Sequence, residues 1–189
     1  YAETLAREDA SWDAAVLRDG LHVISDEADR LALQIQGLLD ASRLQAGGMR
    51  LDLTDWPLPP LAAQVVERIA AQAGQRFAFE LRFPDDFPAV HADYERTRQV
   101  LENLVSNAVK YSPDGGTIRV AGRAGTDHAI VSVSDQGIGI SPEEQAKLFR
   151  RFYRIDNRLR RETQGAGLGL FLSRAIVEAQ GGRIWVDSQ

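Results

Sequence analysis

Leu17, Leu21, Ile24, Ala28, Leu31, Ile35 and Leu38 recur at alternating steps of four and three residues. A repeat of that period keeps a single apolar seam on one side of a long helix and leaves the other sides polar. The spacing predicts a helix from about Trp12 to Leu44, with Ser11 or Asp13 as its cap and Gly47-Gly48 as its stop. Gly20, inside it, costs about 1 kcal/mol relative to alanine, which the seam must outweigh. Tyr1 to Arg7 reads as the last turns of a preceding helix, and residues 8–11 as a connection short enough to make the two helices antiparallel neighbours. So narrow a stripe cannot cover itself. Residues 1–48 are therefore expected to form a dimerisation hairpin that pairs with a second copy as a four-helix bundle.

Composition narrows the partners. The 22 basic and 27 acidic residues leave a net charge of -5, which argues against nucleic acid. With no cysteine there is no disulfide framework and no thiolate metal site. The histidines His22, His91 and His128 are scattered, which argues against a multi-histidine metal centre. No apolar run is long enough to span a bilayer, and the start (YAETLARED) has neither a basic region nor a hydrophobic stretch. This segment is expected to touch no membrane and to work in the cytoplasm.

From Met49 the pattern changes to mixed strands and helices, so residues 49–189 read as a separate domain. Leu51 and Leu53 alternate with polar residues as a short strand. A helix reaches about Gln72, and FAFELRF alternates as a strand. Asp93 caps a helix running to Lys110, and His91 before it reads as a strand-to-helix connector. GTIRVAGR and AIVSVS form a hairpin near Gly125, with His128 solvent-exposed on it. Ser141-Pro142 starts a helix; GAGLGL opens another that stops at Gly181-Gly182, and RIWVDS reads as a final strand. The fold class is α+β: a helical hairpin followed by a sandwich of mixed sheet with helices on one face.

Four motifs carry chemistry. In ENLVSNAVKY, Asn103, Asn107, Lys110 and Tyr111 share one helical face. An amide oxygen is a hard neutral ligand suited to Mg²⁺, and a lysine one turn on suits phosphate. Alone, the two amides read as readily as a wet helix edge. In DQGIGI, Asp135 ends a strand where a carboxylate can accept from an exocyclic amine, while Gly137 and Gly139 allow close approach of a flat ring. Alone, this is equally a glycine-rich turn. LFRRFYR reads as a hinge, with Phe149 and Phe152 packed on the core and Tyr153 and Arg154 left open. GAGLGL places Gly165, Gly167 and Gly169 at a helix mouth, where bare backbone N–H groups bind anions. It is neither a Walker sequence nor a dinucleotide fingerprint.

In this order and spacing the four motifs resemble the N, G1, F and G2 boxes of sensor histidine kinases. The heptad helix, ending EADRLALQIQGLLDASRLQAGG, is similar to the second helix of their dimerisation and phosphoacceptor domain. The resemblance implies a histidine kinase/gyrase ATPase fold, ATP and Mg²⁺ as cofactors, a homodimer and a response-regulator receiver domain as partner. It implies that Asn107 is the Mg²⁺ ligand, assisted by Asn103, that Lys110 contacts phosphate and that Tyr111 flanks the nucleotide. By the same resemblance Asp135 reads adenine N6, with Gly137 and Gly139 shaping that pocket. Arg154 to Ala166 would be the ATP lid, with Tyr153 and Arg154 near the nucleotide, and Gly165, Gly167, Leu168 and Gly169 would wrap the phosphates. Asn103 and Lys110 are the candidate catalytic residues.

The resemblance has gaps. The phosphoacceptor box is absent from residues 1–189, and it is expected about three helical turns before Tyr1. His22 lacks the acidic neighbour and the proline of that box. The family usually adds a turn and a strand after RIWVDSQ, so the last strand is expected to be missing. Gln164 stands where a further glycine is common. Three rivals share the boxes. ATP hydrolases carry Glu at the position of Asn103, where it activates water, and Glu102 points well off that face. A non-catalytic ATP-binding regulatory module would keep the boxes without transferring phosphate. An anti-sigma-type serine kinase usually lacks the long hairpin.

Overall fold

The structure is a computed structural model and describes residues 12, 13, 15–25, 28, 39, 42, 50–155 and 167–188. Residues 15–25 form helix α1. Its cap is Asp13, whose Oδ1 accepts from the N–H groups of Ala15 at 2.7 Å and Val16 at 2.9 Å. The seam residues Leu17, Leu21, Ile24 and Ala28 are helical, and Leu17 and Leu21 are exposed. Ser11, Leu31, Ile35, Leu38 and the Gly47-Gly48 stop lie outside the described residues.

The following domain is built around one central helix. Strand β1 (Leu53–Pro57) leads into helix α2 (Leu58–Ala73), whose early prolines fall where helical N–H groups have no partner to lose. Strands β2 (Phe77–Arg82) and β3 (Ala89–Asp93) follow, then helix α3 (Tyr94–Lys110). Strands β4 (Gly116–Ala124) and β5 (Ala129–Ser134) form the expected hairpin, closed by Gly125 N–H on the His128 carbonyl at 2.7 Å. A single turn, α4 (Pro142–Gln145), and helix α5 (Gly169–Ala179) complete the elements.

β4 lies between β2, parallel to it, and β5, antiparallel; β1 and β3 make a separate antiparallel pair. Alternation along β4 turns Ile118 and Val120 inward, where they meet Leu61, Val65, Leu101 and Val105 of α2 and α3. A fully buried Leu or Ile of this kind contributes about 1.5–3 kcal/mol. On the outer face Arg119 Nε bonds Glu80 Oε2 at 2.9 Å across the register pair. That hydrogen bond, with help from Arg82, holds the Glu80 carboxyl below the usual glutamate range. The layer order is thus the one expected, mixed sheet with helices on one face.

Two details depart from the sequence reading. His91 is not in a connector but in β3, opposite Asp55, with Nδ1 and Oδ1 2.7 Å apart. The strand was invisible because its partner lies some 36 positions away and supplies the whole ladder. RIWVDS is not a strand: residues 182–188 are irregular, and Trp185 is exposed. Ser188 instead accepts from Ile140 N–H through Oγ at 3.0 Å and from Gln145 Nε2 through its carbonyl at 2.9 Å. Alternating apolar residues make a strand only when a neighbour offers a backbone ladder. Among the described residues no helix is long and apolar enough to cross a membrane.

Candidate active site

α3 starts where Asp93 accepts the N–H of Arg96 at 3.0 Å, the cap its sequence predicts. Its core stripe is Val100, Leu101, Val105 and Ala108. On the flank beside that stripe Asn103 and Asn107 are half-buried, one turn apart. Asn103 Nδ2 donates to Ser173 Oγ at 2.9 Å, and Asn107 Nδ2 reaches Asn103 Oδ1 at 3.4 Å. Both amides are therefore oriented by partners.

α5 lies along the same flank, held by Leu172, Ile176 and Val177 packed with Val100 and Leu104 of α3. A Cβ on Gly169 would overlap Asn103 Oδ1, so glycine lets the first turn of α5 come this close without displacing the amide. The orphan N–H groups of that turn and the two amides consequently share one place, an arrangement fit for an oxyanion and its counterion. Gly167, at φ +68°, accepts from Phe152 N–H through its carbonyl at 3.0 Å, and a Cβ on it would press on the Tyr153 carbonyl and Arg154 Cγ.

This stitch corrects the expectation for Phe152. Phe149 is partly buried, but Phe152 is 57% exposed and adopts φ +61°, rare for a bulky residue. Giving its N–H to Gly167 turns the backbone left-handed and swings the ring outward, where the Arg151 guanidinium stacks 4.8 Å from its centre.

The far end of α3 meets the aspartate-glycine turn. Lys110 Nζ stands 5.3 Å from the centre of the Tyr111 ring, and the Tyr111 carbonyl accepts from Ile138 N–H at 3.2 Å. Asp135 Oδ1 accepts from Gly137 N–H at 2.9 Å. A Cβ on Gly137 would overlap the Tyr111 carbonyl, and Gly139 adopts φ +69°, which glycine tolerates. Glu102, by contrast, is taken by Arg68 and Arg98.

Asn103, Asn107, Lys110, Tyr111, Asp135, Gly137 and Gly139 thus gather around the second half of α3, joined at its side by Tyr153, Arg154, Gly167, Leu168 and Gly169 through α5. Gly165 and residues 156–166 of the expected lid lie outside the described residues. Sequence reasoning missed Ser173, although it stands four residues after Gly169 on the same helical face. It also missed Ser112 beneath the turn. Nothing in YSP marks a buried hydroxyl.

Residues 92–189 match the family described as histidine kinase-, DNA gyrase B- and HSP90-like ATPase. The chain belongs to that family. Within this ATPase family its kin are sensor histidine kinases. The circadian input-output histidine kinase CikA of Synechococcus elongatus is 37% identical over 174 residues, covering 90% of this chain and 23% of that protein. The sensor histidine kinase WalK of Bacillus subtilis is 31% identical over 191 residues, covering 100% of this chain and 31% of that protein. Full-length ShkA, solved in complex with AMPPNP, superposes with a TM-score of 0.79 at 28% identity, over 96% of this chain and 38% of its own. The chain accordingly spans between about a quarter and a third of the length of these two curated relatives.

Proposed function

We propose that this chain is the ATP-binding, phosphotransferring part of a two-component protein-histidine kinase, with residues 1–48 as its dimerisation hairpin and 49–189 as its catalytic domain. One observation carries the reading: the Asn103–Asn107 pair of α3 lies against the glycine-opened N-terminus of α5, fixed through Ser173. Phosphoryl transfer needs positioning and electrostatics more than covalent chemistry, and such a place supplies both. The exposed Leu17 and Leu21 on α1 favour a helical partner for the hairpin, taken here as a second copy.

The donor set fits Mg²⁺: a neutral amide oxygen at Asn107, with the remaining ligands from phosphates and water. The ion would offset the charge of the γ-phosphoryl group. Lys110 and the N–H groups from Gly167 to Gly169 hold the phosphates, and Gly165 extends that wrap. Asp135 accepts from adenine N6 in a slot shaped by Gly137 and Gly139, with Tyr111, Tyr153 and Arg154 along the nucleotide. The acceptor is a histidine of the kinase, from which the phosphoryl group passes to an aspartate on a response-regulator receiver domain. The reaction takes place in the cytoplasm.

Asn103 cannot take a proton from water, and Glu102 is engaged by two arginines, so in-place ATP hydrolysis is disfavoured. The test is to incubate the full gene product with γ-labelled ATP and Mg²⁺. Acid-labile, alkali-stable label is the expected result. Acid-stable label would assign a serine kinase of the anti-sigma type, and ATP binding without label a regulatory module.

A further inference from the structure

Ser112 follows the end of α3 and is only 2% exposed. Its backbone is satisfied: the N–H reaches the Val109 carbonyl at 3.4 Å and the carbonyl accepts from Gly115 N–H at 3.0 Å. Its hydroxyl, however, finds no hydrogen-bond partner among the described residues. A buried hydroxyl without a partner is costly, and native structures keep one only where something repays it.

The surroundings indicate what does. From the point where a Gly137 Cβ would stand, Asp135 Oδ1 is 2.8 Å away, Ser112 Oγ 3.0 Å, and the Tyr111 carbonyl oxygen nearer still. Three oxygens converge where glycine leaves the space open. The carbonyl and the carboxylate can only accept, so the Ser112 hydroxyl is the one donor in the group. Asp135 Oδ1 already takes the Gly137 N–H, which leaves it room for a second hydrogen bond from beneath.

We infer that Ser112 is a positioning residue for Asp135: on nucleotide binding its hydroxyl donates to Oδ1, fixing the carboxylate so that Oδ2 faces an exocyclic amine. The inference rests on the reading of Asp135 as the base-recognising group. It adds a second hydrogen bond to a carboxylate otherwise held by Gly137 N–H alone, and so sets selectivity for the amine rather than affinity for the phosphates.

The test compares, by calorimetry with Mg²⁺ present, the binding of ATP and of purine riboside triphosphate, which lacks the exocyclic amine. Wild type should prefer ATP by at least about tenfold, the worth of a hydrogen bond to a charged acceptor. Ser112→Ala should narrow that ratio by about three- to fivefold while leaving the purine nucleotide unchanged, and Ser112→Thr should restore it. Without nucleotide, Ser112→Ala should melt no lower than wild type, since it removes an unpaired buried hydroxyl. Equal weakening of both nucleotides, or no change in either, would overturn the inference. Asp135→Asn separates the two levels: if it keeps the wild-type ratio, the base reading itself fails; if it abolishes the ratio while Ser112→Ala does not, only the role of Ser112 fails.

Discussion

The two ends of α3 are made of similar residues and treated oppositely. At the start, Asp93 is buried with both carboxylate oxygens paired: Oδ1 accepts from Arg96 N–H, and Oδ2 from Asp52 N–H at 2.9 Å. Its own N–H donates to Gln180 Oε1 at 2.6 Å, and Gln180 Nε2 reaches back to the Ile176 carbonyl at 3.3 Å. One aspartate thus joins the segment before β1, the start of α3 and the end of α5. At the other end, among the described residues, the Ser112 hydroxyl has no partner and the Asn107 side chain makes a single long contact. Buried polar groups stabilise a fold only when satisfied. The paired end serves the fold, and on the proposed reading the under-paired end keeps hydrogen-bonding capacity for the nucleotide.

Changes at the under-paired end should therefore cost function, and changes at the paired end should cost stability. The largest effect is expected from Asn107→Asp, which puts a charge beside the phosphates: Mg-ATP-dependent labelling should fall by more than about a hundredfold. Its circular dichroism and melting should match wild type. Normal turnover in this variant would refute the metal assignment. Next comes Gly137→Ala, whose Cβ meets a backbone carbonyl that cannot swing aside. It should destabilise the domain by about 1–3 kcal/mol and lose most ATP affinity, read by urea unfolding and calorimetry.

Gln180→Ala tests the paired end. It strands a buried N–H and should cost about 1–2 kcal/mol in urea unfolding, with nucleotide affinity unchanged. A loss of affinity without a loss of stability would reverse the comparison. The smallest effect belongs to a site at neither end, the half-buried Glu80–Arg119 pair. Because the folded-state pKa of Glu80 is depressed, its pairing favours the fold above the unfolded glutamate value and is lost as pH falls through the folded value. The melting difference between wild type and Glu80→Gln should accordingly be present near neutrality and close in acid.

Much of the domain was legible from residues alone. The cap at Asp93, the end of its helix at Lys110, the hairpin at Gly125 and the stop at Gly181 are each set by contacts spanning a few residues. The placement of Asn103 and Asn107 on one face of α3, and of Gly167 and Gly169 at the mouth of α5, was legible too, because spacing alone sets both. β3 was not, since Ala89–Asp93 shows little alternation and needs β1 to exist. The exposure of Phe152 was hidden for the same reason: its conformation answers to Gly167, fifteen positions on.

Caps, turns and periodicity act over one or two turns of chain, so the residues could dictate which segments are helices and which motifs stand at their ends. Which polar atoms would be satisfied was a question of packing. The approach of α5 to α3, allowed by Gly169, gave Asn103 its partner in Ser173. The approach of Ile138 to Tyr111, allowed by Gly137, left the buried Ser112 hydroxyl without one among the described residues. A hydrogen bond depends on distances of a few tenths of an ångström between groups far apart in sequence, and only the packed chain specifies them.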